Sequence, residues 1–513
     1  MSRRFPEPLD PAPAGDTGIP STKAHHGPQP LPSTWPRLVI AGLSGDAGKT
    51  LVSLGLLFLA REMSISTAVF KKGPDYIDAA WLSWASGRAA RNLDTFLMGK
   101  ETATHSFRVH ASADGLNLIE GNRGLFDGAD AQGTHSTAEL AKLLRAPVLL
   151  VVNAAKVTHT AAALVLGCQR LDPGLRIGGV ILNRVCGLRH EKVLRQSIES
   201  ASGIPVLGVL PAVKSRAMLP GRHLGLVTPQ EHGKLSRLPA RLLSLVRPNV
   251  AMAAILEVAS SAPPLERPAG AAQSVAVGHG LKIGFMKDSA FTFYYPENLE
   301  ALEASGVELV EISALSTPRL PDDLDALYVG GGFPETHAAA LSRNSALLRS
   351  IRARALQGLP VYAECGGLML LARAIRWRGM KFPMSGVLPL EVEVCRAPQG
   401  HGYVELQVDR PNAYYAVGMA LRGHEFHYSR LLAGPSQLET ACEVRRGTGA
   451  WNGRDAVTVK NVWASYTHIH ALATPEWAAG MLAAARRYRN PRPDADDQFY
   501  SDCAKANPPC HVS

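Results

Sequence analysis

A chain of 513 residues, 46% hydrophobic and 19% charged, is long enough for two to four globular domains and is neither fibrous nor disordered in composition. The net charge of +10 is spread along the chain without a basic run or interleaved aromatics, so a small polyanion explains it as well as nucleic acid would. The seven cysteines, at 168, 186, 365, 395, 442, 503 and 510, form no C-x-x-C pair, and no apolar run approaches the roughly 20 residues of a membrane helix, which excludes a zinc ribbon, a disulfide framework and a spanning segment. A reducing cytoplasm fits this cysteine usage, and neither nucleic acid nor a membrane is an expected partner. Ser2-Arg3-Arg4-Phe5 is followed by proline and acidic residues, not by the apolar segment of an export signal.

Residues 1–36, rich in Pro, Ser, Gly and His, predict a disordered leader. Structure begins with Arg37-Leu38-Val39-Ile40, a strand running into Ala41-Gly42-Leu43-Ser44-Gly45-Asp46-Ala47-Gly48-Lys49-Thr50, and an apolar helical pattern covers 51–59. Strand, Gly-rich loop and helix in that order bind nucleotide phosphates. Backbone N–H groups around Gly45 and Gly48 wrap them, Lys49 reaches the outer phosphates, and the Thr50 hydroxyl can ligate Mg²⁺. The first glycine of the loop stands one residue early, with Leu43 in its usual place.

A strand at 67–70 delivers Lys71, followed by Asp75 and Asp78. A lysine and carboxylates at a strand's end suit phosphate and metal duty in an α/β sheet; a turn with solvated charges is the alternative. The strand at 116–119 ends in Glu120-Gly121-Asn122-Arg123-Gly124-Leu125-Phe126-Asp127-Gly128. An acid there is where a P-loop fold keeps its Mg²⁺-side carboxylate, and Arg123 can pair with a substrate carboxylate or phosphate or with a surface acid. Strands at 147–152, 177–182 and 206–210, separated by helical patterns at 137–145, 156–170 and 189–201, complete a doubly wound, mostly parallel sheet. Asn183, at a strand end, is placed to bond a purine edge, and 220–225 reads as a loop over the site.

Residues 258–279 read as a linker. A second α/β pattern follows, with strands at 281–285, 308–312 and 326–329, a helix at 299–304, and an aromatic cluster of Phe291, Phe293, Tyr294 and Tyr295. Gly330-Gly331-Gly332 after a strand leaves N–H groups free for an oxyanion hole. The strand at 360–363 leads into Glu364-Cys365-Gly366-Gly367, the form in which a nucleophile is set on a tight strand-to-helix turn. Glycines allow the bend, and the helix N-terminus is expected to lower the thiol pKa; a core cysteine beside a glycine turn is the alternative. A strand at 459–464 leads to His468 and His470, read as the base for Cys365 and the group that orients that base. The cluster His424-Glu425-Phe426-His427 reads as a ligand-facing strand with packed histidines, a metal site being the less favoured alternative. Residues 489–513 read as a polar tail in which Cys503 and Cys510 are incidental.

Taken together, these motifs resemble the cobyrinic acid a,c-diamide synthase family, the glutamine-dependent tetrapyrrole a,c-diamide synthases, from residue 39 to about 485. The shared stretches include 41–50, 71–78, 92–94, 120–128, 179–185, 222–226, 294–299, 330–335, 363–367, 423–428 and 464–470. The resemblance implies a P-loop amidoligase domain at 37–257 joined to a class I glutamine amidotransferase domain of flavodoxin-like build at 280–488. It implies that Cys365 attacks the glutamine amide with help from His468, in an oxyanion hole formed by Gly331, Gly332 and Gly366. Mg-ATP then phosphorylates a carboxylate of a tetrapyrrole polycarboxylate, and ammonia displaces the phosphate. By motif position Gly45, Gly48, Lys49, Thr50, Lys71 and Asn183 hold ATP, while Thr50, Asp75 and Glu120 hold Mg²⁺. Asp78, Asn122, Arg123 and Asp127 face the substrate, and a homodimer is an assembly the resemblance allows. Three positions depart from the family's pattern: Asp46 in the P-loop, Asn122-Arg123 after Glu120-Gly121, and Asn153. The Asn-Arg pair looks like the branches acting on sirohaem or nickel-sirohydrochlorin, so the macrocycle is open among these rings. A partitioning-type regulatory P-loop ATPase is the alternative of another class, and it leaves Cys365 and His468 without a role.

Overall fold

The computed structural model describes residues 35–213, 218–222, 225–265, 278–432 and 438–491. The leader up to residue 34, most of the linker, the tail beyond 491 and His223-Leu224 of the loop over the site lie outside these residues.

The alternating strand and helix patterns of the first half form a seven-stranded parallel sheet in the order β3-β2-β4-β1-β5-β6-β7. Its strands are β1 Arg37–Gly42, β2 Thr67–Lys72, β3 Arg91–Leu93, β4 Leu116–Glu120, β5 Val148–Asn153, β6 Ile177–Val185 and β7 Val206–Pro211. Helices cover both faces, which is why β1, β2 and β4 are buried at every position and read as apolar runs without alternation. The three-residue β3 is too short to show a period and escaped the sequence reading. Helix α1, Lys49–Glu62, is buried nearly all round because helix Leu238–Val246 packs on its outer side. Gly55 permits that crossing: a Cβ there would lie 2.3 Å from Cγ2 of Val246. In this strand order the C-terminal ends of β1, β4 and β2 are neighbours. Glu120 is in register with Ile40 on one side and Lys71 on the other, so the P-loop, the acid and the lysine converge.

The second half is built on a ten-stranded mixed sheet. Its members are β8 Lys282–Met286, β9 Glu308–Ile312, β10 Ala326–Val329, β11 Val361–Glu364, β12 Gly400–Val408, β13 Ala420–His427, β14 Thr440–Arg446, β15 Arg454–Val459, β16 Val462–Ser465 and β17 His468–Ile469. They lie in the order β9-β8-β10-β11-β16-β15-β14-β12-β13-β17. The first five are parallel and the rest antiparallel. The single strand expected at 459–464 is in fact the end of β15, a two-residue turn with Lys460 at φ 52°, and β16. Two apolar alternations meeting at a tight turn look like one strand in sequence. Because β11 pairs with β16, Glu364 lies opposite Ser465, and the segment after β16 returns beside the Cys365 turn.

Candidate active site

The P-loop is held closed by its own neighbours. Gly48 has φ 100°, and a Cβ there would lie 2.2 Å from Nδ2 of Asn183. That amide nitrogen donates to the Ala47 carbonyl at 2.9 Å. The side chain expected on a purine thus also braces the phosphate loop. Lys49 Nζ donates to the carbonyls of Ser44 (3.1 Å) and Arg123 (2.5 Å). Burial, then the nearby Lys71 ammonium, hold its pKa below the ordinary lysine value. Asp46 is exposed at φ 53°, a left-handed conformation that aspartate tolerates better than most residues.

Behind the loop, Glu120 Oε1 accepts from the Thr50 hydroxyl at 3.0 Å and from Lys71 Nζ at 3.0 Å. Lys71 also donates to Asp78 Oδ2 at 2.6 Å. Burial disfavours the Lys71 charge, but Asp78 and Glu120 outweigh it and hold the ammonium above its ordinary pKa. The second Glu120 oxygen, Oε2, is buried without a hydrogen-bond partner. A magnesium ion suits this corner. Thr50 and Glu120 offer adjoining oxygens, one of them unused, and Mg²⁺ normally takes one or two carboxylates and keeps several waters. No group of three or more metal-binding side chains occurs among the described residues. Asp75 is committed elsewhere: its Oδ1 caps helix α2, Tyr76–Ser86, by accepting from the Asp78 N–H at 2.8 Å. Burial, and then the Asp78 carboxylate, push its pKa up to about 7. Asn122 sits against Gly73, where a Cβ would lie 3.0 Å from Nδ2. Asp127 accepts from the Gly124 N–H at 2.8 Å.

Cys365 stands between β11 and helix α3, Gly366–Leu371, at φ 48° and ψ −95°. A positive φ on a residue with a Cβ is strained, and such strain collects at functional turns. The Cys365 N–H donates to Ser465 O at 2.7 Å, which fixes the turn against β16. The glycines are required by contact. A Cβ on Gly366 would lie 3.0 Å from Gly332 N, and one on Gly331 would lie 2.7 Å from Cε1 of His468. Gly331, Gly332, Gly366, Cys365 and His468 thus form one continuous patch. The expected lowering of the thiol pKa does not occur: burial pushes it up, the Glu335 carboxylate adds to this, and only the Gly366 N–H opposes. Helix α3 spans six residues, too short a dipole to offset a fully enclosed sulfur. The thiol makes no hydrogen bond to His468 in this closed arrangement.

The side chain that His468 meets is Glu364, not His470. His468 Nδ1 lies 3.2 Å from Glu364 Oε2, which also accepts from the Tyr328 hydroxyl at 3.2 Å, while Oε1 accepts from the Ile469 N–H at 3.2 Å. His470 faces the opposite way, with Nε2 3.6 Å from Glu297, and Glu297 in turn lies 3.7 Å from Arg91 of β3. Burial drives the His470 pKa down to about 3, and burial raises that of Glu297 to about 7 against the opposing pull of Arg91. The only sequence signal for Glu364 was a lone acid at the end of an apolar strand, adjacent to the nucleophile. The histidines of β13 are packed, and His424 also faces the cleft. His424 stacks on His468 with centroids 5.0 Å apart, His427 stacks on Tyr466 at 3.7 Å, and Glu425 accepts the N–H groups of Thr448 and Gly449.

The two sites share a boundary. Tyr76, at the first turn of α2 between Asp75 and Asp78, places its ring among the aromatics of the second half. It stacks on Phe293 (5.2 Å, 3°), leans on Tyr295 (4.6 Å) and meets His468 edge-on (5.2 Å). A cleft of about 460 Å³ opens here. Lys72, Asp75, Tyr76, Asn122, Arg123 and Asp127 line it from the first half, and Phe293, His401, Tyr403, His424, Arg446 and His468 from the second.

Residues 38–227 match the CobQ/CobB/MinD/ParA nucleotide binding domain, and residues 282–476 match the CobB/CobQ-like glutamine amidotransferase domain. The cobyrinate a,c-diamide synthase of Magnetococcus marinus is 40% identical over 87% of this chain and 97% of its own length. The chain belongs to the cobyrinate a,c-diamide synthase family. The synthases of Archaeoglobus fulgidus (39% identical; 86% of this chain, 96% of that one) and Salmonella typhimurium (37%; 88% and 98%) are similar over the same span. Membership accounts for both halves, a nucleotide-binding sheet and an amidotransferase sheet in one chain. That excludes the regulatory ATPase alternative, which explains only the first.

Proposed function

We propose that the protein is an ATP- and glutamine-dependent amidoligase acting on the a and c acetate carboxylates of a tetrapyrrole, cobyrinic acid being favoured by the relatives' names. The observation that carries this reading is Tyr76: one strand-to-helix corner holds Lys71, Asp75 and Asp78 beside the P-loop and also touches His468. Two reactions that must exchange ammonia are thereby adjacent.

At the amidotransferase site, His468 takes the Cys365 proton and the sulfur adds to the glutamine carbonyl. The resulting oxyanion is met by the N–H groups of Gly332 and Gly366. The amide nitrogen leaves as ammonia with a proton from His468, and water cleaves the thioester to release glutamate. At the synthetase site a carboxylate oxygen attacks the γ-phosphorus of ATP, ADP departs, and ammonia adds to the acyl phosphate to give amide and inorganic phosphate. A carboxylate is a poor electrophile until one oxygen becomes a phosphate leaving group. Lys49 and Lys71 supply positive charge to the phosphates once ATP displaces the carbonyls that Lys49 now contacts. Mg²⁺ held by Thr50 and Glu120 would neutralise further phosphate charge.

Cys365→Ser separates the two chemistries. Glutamine-dependent amidation of cobyrinic acid is expected to vanish while ammonium chloride still supports it. Undiminished glutamine hydrolysis by the variant would refute the nucleophile assignment. Sirohaem and nickel-sirohydrochlorin, offered beside cobyrinic acid with mass-spectrometric detection, decide the ring.

A further inference from the structure

We propose that the amidotransferase half itself binds the tetrapyrrole acid, with Arg446 on β14 as the residue that grips a substrate carboxylate. This rests on the amidoligase reading above.

A carboxylate undergoing amidation must reach the γ-phosphate and the ammonia source within one binding event. The cleft between the halves is bordered by Asp75 and Asn122 on one wall and by His468 on the other. Its outer rim is basic and aromatic. Tyr403 of β12 lines the cleft and stacks on the buried Phe96 of the first half, with centroids 4.2 Å apart. The guanidinium of Arg446 lies 5.2 Å over the same Phe96, and Arg422 lies 5.6 Å from it. Across the cleft, Arg123 reaches the His401 ring at 3.2 Å.

The charge balance distinguishes this rim from an ordinary interface. Arg422 has Glu405 at 3.6 Å, and Lys72 has Asp94 at 3.9 Å. Arg123 and Arg446 have no carboxylate partner among the described residues; Arg123 faces a histidine, and Arg446 donates to the Ala129 carbonyl at 3.3 Å. Asp75, Asp127 and Glu425 also line the cleft, but none pairs with Arg123 or Arg446, and guanidinium is suited to grip carboxylates two oxygens at a time. A tetrapyrrole polycarboxylate supplies carboxylates for both Arg123 and Arg446. The cleft takes the edge that bears the reacting acetate.

The test uses the full-length protein with ammonium chloride as the nitrogen source, so that glutaminase chemistry does not enter. Arg446→Ala is expected to raise KM for cobyrinic acid tenfold or more and to move KM for ATP less than twofold; Arg446→Lys should fall between. Arg446 is exposed, so an unchanged thermal midpoint is expected to show an intact fold. A residue that merely braced the interface would shift both constants together or neither. An unchanged KM for cobyrinic acid, or a parallel rise for ATP, overturns the inference while leaving the function standing. A wild-type protein that amidates none of cobyrinic acid, sirohaem and nickel-sirohydrochlorin overturns the proposed function and this inference with it.

Discussion

Replacing Glu364 by Gln tests the reading of the amidotransferase site where structure and sequence disagree. Glu364 is fully buried and accepts three hydrogen bonds, from His468, Tyr328 and Ile469. A glutamine fills the same space but offers one acceptor and one donor. If its nitrogen faces His468 and Tyr328, two donors oppose it; if it faces Ile469, an N–H meets an NH₂. The imidazolium formed when His468 takes the thiol proton also loses its counter-charge. A charge-assisted hydrogen bond contributes about 1.5–3 kcal/mol, and a buried unsatisfied donor costs about 1–3 kcal/mol more. Together these raise the glutaminase barrier by about 4 kcal/mol, on the order of a thousandfold in kcat. The assay is glutamate release from glutamine in the presence of ATP and cobyrinic acid, with ammonium-driven amidation as the control that should hardly change. His470→Asn, which disturbs only the far side of the loop, is expected to stay within about tenfold of wild type. Glutaminase within tenfold of wild type for Glu364→Gln, or an equal loss for His470→Asn, would refute the assignment of Glu364 as the orienting group.

Gly331→Ala places a Cβ 2.7 Å from Cε1 of His468 and 3.2 Å from Phe293 Cδ2, so the imidazole must shift. Glutamine-dependent turnover should drop by about tenfold or more, with the ammonium-driven rate preserved; an unaffected glutaminase would mean that His468 moves freely. Glu297 governs a pH dependence. Its folded pKa of about 7 lies above the ordinary glutamate value of 4.5, so the fold favours the protonated acid. That contribution is complete below pH 4.5 and is lost as pH rises through 7, amounting to about 3 kcal/mol. Glu297→Gln should flatten the fall in unfolding free energy between pH 5 and pH 8, measured by urea titration, and an unchanged slope would refute the assignment.

The P-loop, Lys71, Glu120, the glycine turn and Cys365 were legible because each is a local pattern: a strand end followed by residues whose chemistry needs that geometry. What escaped reading depends on contacts distant in sequence. Nothing near Asn183 announces that its amide is held by Ala47, since that contact spans 136 residues and exists only because β5 brings β6 next to the P-loop side of the sheet. His470 looked like a partner for His468 by proximity, yet alternate residues leave a strand on the same side only while the strand lasts. Strand β17 ends at Ile469, and the chain then turns toward Glu297. The thiol pKa was misjudged because a helix N-terminus is visible in sequence, whereas complete burial of the sulfur is not.

The corner at 71–78 joins these observations. Lys71 and Asp78 form the ionic contact behind the P-loop, Asp75 caps α2, and Tyr76, held between the two acids, reaches into the other half. Whatever changes the charge around Lys71, as a triphosphate must, acts on the first turn of a helix whose opening residue packs on His468 and on Phe293. Phe293 pairs with Gly331 across a short antiparallel contact, so the ring also bears on the oxyanion-hole loop. His468 and, through Phe293, the Gly331 loop thus sit within reach of one aromatic side chain from the first sheet. Glutamine cleavage is therefore expected to respond to occupancy of the synthetase site through Tyr76.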